Sequence, residues 1–187
     1  MRVLGIIGSL RADSHNRRLF RAAADELPPD AELIAFDGLK AVEPFDETDE
    51  HEGGGGMPGA DALIAAIRDA DAILFVTPEY NGSIPGVLKN AVDWASRPTP
   101  ATSPLANKPV AVIGASTGMF GAVWAQAELR KALGAAGARV IDQELPVASA
   151  DEAFDQHGAL VEPDLSLELG NILAELTESV ERRRLAA

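Results

Sequence analysis

Short apolar runs alternate with segments of helical periodicity along the whole chain, and this alternation limits the fold more than any other feature. The runs cover residues 3–7, 31–36, 72–77, 110–115 and 139–142. Apolar residues spaced i, i+3, i+4 and i+7 follow each run, which is the pattern of an amphipathic helix. Strand and helix in repeated alternation predict parallel strands joined by right-handed crossovers.

The composition of the runs predicts the order of the strands. The first, third and fourth runs are continuously apolar, as expected of central strands covered on both faces. The second and fifth are mixed, as expected of edge strands. The predicted fold is α/β: a flavodoxin-like three-layer sandwich whose five-stranded parallel sheet has the order 2-1-3-4-5. Ligands bind such sheets beyond the carboxyl ends of strands one and three, so the loops after runs one, three and four form the candidate site.

Bulk composition narrows the class of protein. The 187 residues fit one domain spanning residues 1–187, with 47% apolar and 24% charged residues as in globular proteins. The apolar runs are too short to span a membrane, and the first residues lack the features of a secretory signal, so we expect a cytoplasmic location. The absence of cysteine excludes disulfides and thiolate chemistry. A formal net charge of −13 repels phosphate backbones and anionic lipid, so neither nucleic acid nor membrane is an expected partner.

The loop after the first run, GSLRADSHN, has the donors that a phosphate group requires. It lacks the spaced glycines of the dinucleotide fingerprint and the Gly-Lys-Ser/Thr of a Walker loop. A helix cap would explain Asp13 or Ser14 alone. It leaves Ser9, Arg11 and Asn16 unexplained. Because these side chains precede or open a helix whose first N–H groups are free, we predict that the loop binds a terminal phosphate.

The loop after the third run, PEYNGSIP, is rigid and contains the only tyrosine of the chain. Pro78 ends the strand, and Pro85 suits the first turn of the next helix. The backbone from Pro78 to Gly82 can form a seat for a planar ring, with Asn81 at its polar edge and Tyr80 over a face or at the entrance. The alternative is a strand-to-helix connection in which Tyr80 packs locally.

The loop after the fourth run, GASTGMFG, is a turn of small residues that lets a flat ligand approach backbone N–H groups. A phosphate at one loop and a ring at two others describe a mononucleotide with a large flat head. Four phosphate contacts of about 1–2 kcal/mol each supply roughly 4–8 kcal/mol, whereas nanomolar retention requires about 12 kcal/mol. The ring is therefore expected to supply the remainder.

An acidic and glycine-rich insertion, VEPFDETDEHEGGGGMPG, separates the second run from the next helix. Asp46, Asp49, Glu50 and His51 could in principle bind a metal. Their spacing matches no established ligand frame, so a solvated loop is the preferred interpretation and no metal is predicted.

Two of the motifs together resemble the NADPH-dependent FMN reductase family. The patterns are G-S-x-R-x-x-S-x-N in the first loop and P-E-Y-N-x-S-x-P-x-x-L-K-N in the second. The resemblance covers residues 1 to about 136 and continues more weakly through EAFDQHGALVEPD. That family has a flavodoxin-like fold and includes flavin, quinone, chromate and azo-dye reductases.

The resemblance implies FMN as cofactor, NAD(P)H as co-substrate and a flavin, quinone or similar small molecule as electron acceptor. Hydride would pass from the nicotinamide through flavin N5 to the acceptor, with no catalytic side chain. It also implies a homodimer or homotetramer, with the LKNAVDW helix and Trp124 as interface candidates. Its implied FMN contacts are Ser9, Arg11, Ser14 and Asn16 at the phosphate, Pro78, Glu79, Tyr80, Asn81 and Gly82 along the ring, and Ser116, Thr117 and Gly118 from the third loop.

Two other functions remain open at this point. GASTG matches the G-x-S-x-G of a serine hydrolase, with Ser116 as nucleophile and Asp151 or Asp155 and His157 following in the appropriate order. That interpretation assigns no role to the first two loops, and DQHG is typical of a surface turn. A non-enzymatic FMN-binding electron carrier or regulator would have the same loops as the enzyme.

Overall fold

A single five-stranded sheet forms the centre of the molecule in the computed structural model, which describes residues 1–49 and 56–185. Every strand pairing is parallel, and the order is β2-β1-β3-β4-β5, which confirms the predicted flavodoxin-like topology. The strands are β1 (Arg2–Ile7), β2 (Glu32–Ala35), β3 (Ala72–Thr77), β4 (Pro109–Ala115) and β5 (Arg139–Val147).

Helices cover both faces of the sheet and complete the predicted three layers. They are α1 (His15–Glu26), α2 (Pro58–Asp69), α3 (Gly86–Ala95), α4 (Val123–Ala135) and α5 (Pro163–Leu185). One apolar cluster joins α1 and α5 to the sheet, and a second joins α2, α3 and α4 to the other face. None of the described helices combines the length and the apolar character that crossing a membrane requires.

Successive side chains of a strand point to opposite faces of the sheet, so a central strand contributes residues to both clusters. In β3, Leu74 and Val76 pack toward α1 and α5, whereas Ile73 and Phe75 pack toward the opposite layer. All six residues of β3 are buried, which explains why the sequence shows a continuous apolar run there.

The edge strand β5 is longer than the sequence predicted. The predicted run ended at residue 142, but the strand continues through the polar Gln143 and Glu144 to the buried Leu145 and Val147. A register shift between Val110 and Val112 interrupts its pairing with β4. Apolar continuity is therefore a poor guide on this edge, where one side of the strand has no neighbour and polar residues and Pro146 are tolerated.

A buried lysine lies at the amino end of the sheet. Lys108, immediately before β4, is only 5% exposed, and its Nζ donates a hydrogen bond of 2.5 Å to the carbonyl oxygen of Ala70. Burial, followed by the positive charge of Arg183, lowers the pKa of Lys108 from 10.5 to about 8.

This lowered pKa predicts that the free energy of unfolding rises with pH between about 8 and 10.5. Across that window the unfolded chain binds a proton that the folded protein does not, so raising the pH removes the cost of burying the charge. We expect the wild type to gain about 1–3 kcal/mol relative to Lys108→Met between pH 7.5 and 10.5. Urea denaturation at both pH values measures the difference, and parallel pH profiles for the two proteins would contradict it.

Candidate functional site

Three loops converge at the carboxyl ends of the central strands: the β1 loop (residues 8–14), the β3 loop (residues 78–85) and the β4 loop (residues 116–122). The first two are adjacent because Gly8 N–H donates to the carbonyl of Val76 at 2.9 Å. A Cβ atom on Gly8 would lie 2.9 Å from Leu88 and 3.1 Å from Pro78, so glycine permits the close approach.

The start of α1 follows the β1 loop and is capped within its own sequence. Ser14 is the N-cap residue, and its hydroxyl oxygen accepts a hydrogen bond of 3.1 Å from Arg17 N–H. Helix capping, the alternative to phosphate binding, thus accounts for the Ser14 side chain. The hydroxyl hydrogen of Ser14 is still available to donate.

Ser9 is the most unusual polar residue of the β1 loop. Its side chain is 4% exposed, and no described residue forms a hydrogen bond with its hydroxyl. The hydroxyl oxygen is not among the buried side-chain atoms that lack a partner in the described residues, so it is open to solvent and can donate to a ligand there.

Asn16 joins the β1 loop to the end of β4. Its Nδ2 donates to the carbonyl of Ala115 at 2.8 Å, and its Oδ1 accepts from Ala115 N–H at 3.0 Å. The pairing of β4 with β3 ends one residue earlier, at Thr77 and Gly114. The Asn16 amide therefore continues the ladder beyond the neighbouring strand, and one of its two N–H hydrogens stays free.

The guanidinium of Arg11 is exposed beside an exposed carboxylate. Arg11 lies 3.4 Å from Asp13, and the two side chains are 66% and 85% exposed. A solvent-exposed pair at that separation contributes little energy, so a doubly charged phosphate can replace the Asp13 carboxylate as the partner of Arg11.

Backbone donors complete the β1 loop. Within the described residues, the N–H groups of residues 9–13 and of His15 and Asn16 have no hydrogen-bond partner. These groups lie before and in the first turn of α1, where the helix dipole favours negative charge. The loop thus offers backbone donors together with one donor hydrogen from each of the four predicted side chains, a set suited to a phosphate.

A two-residue hairpin forms the centre of the β3 loop. Tyr80 and Ser83 exchange backbone hydrogen bonds of 3.0 and 3.1 Å. Between them Asn81 and Gly82 both have positive φ, 53° and 72°, as in a type I′ turn. The N–H groups of Glu79, Asn81 and Gly82 have no partner in the described part of the chain, so this rigid turn presents free donors.

The side chain of Glu79 contacts the helix that follows the β4 loop. Its Oε2 accepts hydrogen bonds of 3.1 Å from both Trp124 N–H and Ala125 N–H, in the first turn of α4. A second link comes from Ser83, whose hydroxyl donates to Glu128 Oε2 at 2.5 Å. The sequence motif predicted Glu79 along a ring, but its carboxylate is already bound to protein.

Small residues form much of the β4 loop. Ser116 is half-buried, whereas Thr117 and Gly118 are exposed. Gly121 has φ 57°, and a Cβ there would lie 2.4 Å from the carbonyl carbon of Pro146, so only glycine fits without displacement. The N–H groups of Thr117, Met119 and Phe120 have no partner among the described residues.

Sequence analysis missed a buried glutamine that supports this loop. Gln126 is fully buried, its Nε2 donates to Gly121 O at 3.2 Å, and its Oε1 accepts from Leu145 N–H at 3.1 Å. The available signal was a polar residue between Ala125 and Leu129 on the apolar face of a helix. Glu128 was missed as well, since nothing in its local sequence indicates a distant serine partner.

Exposed apolar side chains surround the three loops. Met119, Phe120 and Trp124 are 75%, 55% and 49% exposed, and the rings of Phe120 and Trp124 meet edge-to-face at 4.9 Å. Leu10 and Tyr80 are about half exposed. This concentration of large apolar residues at one edge is typical of a surface that binds a ligand or another subunit.

A hydrolase triad is not assembled. Ser116 Oγ accepts from Gly118 N–H at 3.1 Å, and no hydrogen bond links it to His157. His157 lies in a turn whose backbone donates to Asp155. Ser116 also lacks positive φ, and α4 begins only at Val123, so the strained strand-to-helix elbow is absent.

The acidic insertion also offers no metal site within the described residues, where no group of three or more potential ligands occurs. Asp46 instead accepts hydrogen bonds of 2.8 and 2.7 Å from the backbone and hydroxyl of Thr48. These bonds lower the pKa of Asp46, the hydroxyl bond having the larger effect. Glu50 and His51 lie outside the described residues.

Comparisons with known proteins point to one family. The family model described as NADPH-dependent FMN reductase matches residues 1–152. An NAD(P)H-dependent FMN reductase of Pseudomonas aeruginosa is 41% identical over 163 residues, covering 87% of this chain and 85% of that protein. A 2-hydroxy-1,4-benzoquinone reductase of a Burkholderia species is 35% identical over 187 residues, 98% of each chain.

A solved structure extends the likeness to the fold. The flavoenzyme NAD(P)H:(acceptor) oxidoreductase FerB of Paracoccus denitrificans superposes with a TM-score of 0.81 at 29% identity, covering 97% of each chain.

Proposed function

The chain belongs to the NADPH-dependent FMN reductase family, and we propose that its β1, β3 and β4 loops together hold the FMN. It is an NAD(P)H-dependent flavin oxidoreductase, an enzyme of the FMN reductase and quinone reductase type. The serine hydrolase alternative finds no support among its relatives. The observation that carries the site assignment is the set of unpaired donors at the β1 loop, namely the free backbone N–H groups and the hydroxyl of Ser9.

The proposed phosphate contacts are the β1-loop backbone and the side chains of Ser9, Arg11, Ser14 and Asn16. Ser14 and Asn16 would use the hydrogens that their capping and bracing bonds leave free. The proposed ring contacts are Pro78, Glu79, Tyr80, Asn81 and Gly82 from the β3 loop and Ser116, Thr117 and Gly118 from the β4 loop. For Glu79 the proposed contact is the backbone N–H, because its carboxylate binds α4.

Bound FMN supplies the redox chemistry, taking hydride from the nicotinamide and giving it to the acceptor. The protein's own groups hold the ring and leave one face accessible to both reactants in turn. The free N–H groups of the β3 and β4 loops would stabilise negative charge on the ring, as fixed donors do at other sites of charge development.

A titration of FMN into the apo-protein tests this assignment, followed by flavin fluorescence and the visible spectrum. Saturation at one FMN per chain with micromolar affinity or better is expected. If FMN does not bind, the three-loop site is wrong.

We propose a homodimer or homotetramer in which Phe120 and Trp124 contact another subunit. They are large, exposed and adjacent, as interface anchors are. In contrast, Trp94 of the LKNAVDW helix is 4% exposed and packs in the core, so it is not available to a partner. Sedimentation equilibrium gives the subunit number, and a monomer at micromolar concentration would contradict this proposal.

The acceptor is proposed to be an uncharged planar molecule such as a quinone. Arg11 is the only Lys or Arg in the three loops, which also contain Asp13 and Glu79. If FMN phosphate occupies Arg11, these loops have no further cation for a second phosphate, whether of free FMN or of NADPH, and the net charge of −13 opposes both.

We therefore expect kcat/KM to be higher for NADH than for NADPH, and higher for an uncharged quinone than for free FMN. Both ratios should fall as salt screens the field, by about two- to tenfold between 20 and 500 mM NaCl. Steady-state kinetics at the two salt concentrations measure them. A preference for NADPH that is independent of salt would show that a cation outside these loops binds the 2′-phosphate.

The cytoplasmic location and the single domain over residues 1–187 stay predictions.

A further inference from the structure

The most informative contact that the proposed FMN site does not explain is the hydrogen bonding of Glu79. The first turn of α4 has no cap of its own, because its N-cap residue is Ala122, which has φ 64° and no side-chain acceptor. The Glu79 carboxylate, 45 residues from Trp124, accepts from two of the N–H groups left unpaired there.

We propose that Glu79 is a positioning residue for FMN binding: its carboxylate fixes the β3 loop to α4, so that the free N–H groups of the loop face the ring. The inference rests on the proposed function, because it assigns a role within that site. Its basis is geometric, since the same residue has a side chain bound to α4 and a backbone N–H with no partner.

The β3 loop is held on both sides of its turn. Glu79 precedes the Asn81-Gly82 pair and Ser83 follows it, and both bind side chains or backbone of α4. The turn between them is closed by the two Tyr80–Ser83 hydrogen bonds. The orientation of the free N–H groups therefore depends on the position of α4 and on the hairpin's own bonds.

The Glu79 contact also fixes the other side of the site. Trp124 donates its backbone N–H to Glu79 and packs its ring against Phe120 in the β4 loop. Loss of the carboxylate would release the β3 loop and the aromatic pair together. A glutamine at this position keeps one side-chain oxygen that can accept both N–H groups, whereas alanine keeps none.

Glu43 provides a matched control within the same chain. Its carboxylate caps α2 in the same manner, accepting from Gly59 N–H at 3.1 Å and Ala60 N–H at 3.0 Å. It belongs to none of the three loops. Glu43→Ala thus removes a glutamate cap of the same kind outside the three loops of the proposed site.

The test is a comparison of FMN dissociation constants for the wild type, Glu79→Ala, Glu79→Gln and Glu43→Ala, with amide hydrogen exchange of the apo-proteins as a second readout. We expect the Kd of Glu79→Ala to rise about tenfold, that of Glu79→Gln to rise no more than about threefold, and that of Glu43→Ala to stay within about twofold. Exchange at Trp124 and Ala125, and at Tyr80 and Ser83 whose N–H groups close the turn, should accelerate in Glu79→Ala only. The visible spectrum of bound FMN should change in Glu79→Ala and return toward wild type in Glu79→Gln.

Three results would overturn the inference while leaving the FMN site intact. One is unchanged FMN affinity in Glu79→Ala. Another is an equal loss in Glu79→Gln and Glu79→Ala, which would show that the negative charge is required and that an oxygen acceptor for the two N–H groups is not enough. The third is an equal loss in Glu43→Ala, which would show a general effect of helix capping. If the wild type itself fails to bind FMN, the proposed function is wrong instead.

Discussion

Asn16→Ala is expected to lower the free energy of unfolding of the apo-protein by about 2–4 kcal/mol. The substitution removes two buried hydrogen bonds, of 2.8 and 3.0 Å, and leaves both backbone groups of Ala115 without this partner. Ala115 is only 2% exposed, so water has little access to replace the amide. Because β3 ends before this point, no strand on that side of β4 can supply the missing bonds. Urea denaturation followed by circular dichroism measures the loss.

Asn171→Ala is the control, since Asn171 is exposed on α5 and no described residue is hydrogen-bonded to its side chain. Its effect should stay within about 0.5 kcal/mol. Asn16→Asp should also destabilise, because an ionised carboxylate can accept from Ala115 N–H but cannot donate to Ala115 O. A loss below about 0.5 kcal/mol for Asn16→Ala would mean that the ladder extension is not a significant part of the stability.

The sheet could be predicted from sequence because each central strand is marked by a short apolar run within the strand itself, and this pattern repeats along the chain. Residues 72–77 were predicted as a strand from an apolar run alone, and β3 has those same bounds. The end of β5 was not predicted, because the polar residues 142–144 separate Ile141 from the buried Leu145 and Val147 and so interrupt the apolar run. Its pairing with β4 continues to Val147 through backbone hydrogen bonds, to which every residue type except proline contributes alike.

The site was predictable in its location and less so in the role of each residue. Strand order alone places ligands at the loops where Ser9 and Asn81 occur, and short polar residues there indicated donors. The sequence could not separate Ser9, whose hydroxyl is unpaired, from Asn16, whose amide binds Ala115. Roles of this kind depend on contacts between residues far apart in the chain, such as the 45-residue separation of Glu79 and Trp124.

Arg11→Ala is expected to weaken FMN binding by about 1.5–3 kcal/mol, or roughly 10- to 150-fold in Kd. Arg11 is the only Lys or Arg in the three loops, so no other cation of these loops replaces its charge. Flavin fluorescence titrations of both proteins measure the ratio. Riboflavin has the same ring without the phosphate, so its affinity should be unchanged by the substitution. An equal loss for FMN and riboflavin would place Arg11 at the ring, and an unchanged Kd for FMN would remove it from the site.

Asp13→Ala should act in the opposite direction. The Asp13 carboxylate is 3.4 Å from the Arg11 guanidinium, so it would compete with a phosphate bound there. Its removal also takes a negative charge from the loop, so FMN binding should tighten by about two- to fivefold. When Arg11 is already replaced by alanine, Asp13→Ala should tighten FMN binding only by the smaller, salt-sensitive amount that comes from reduced repulsion. A double-mutant cycle of the two residues, read as the FMN Kd, thus separates competition for Arg11 from simple charge repulsion, and additive effects would exclude competition.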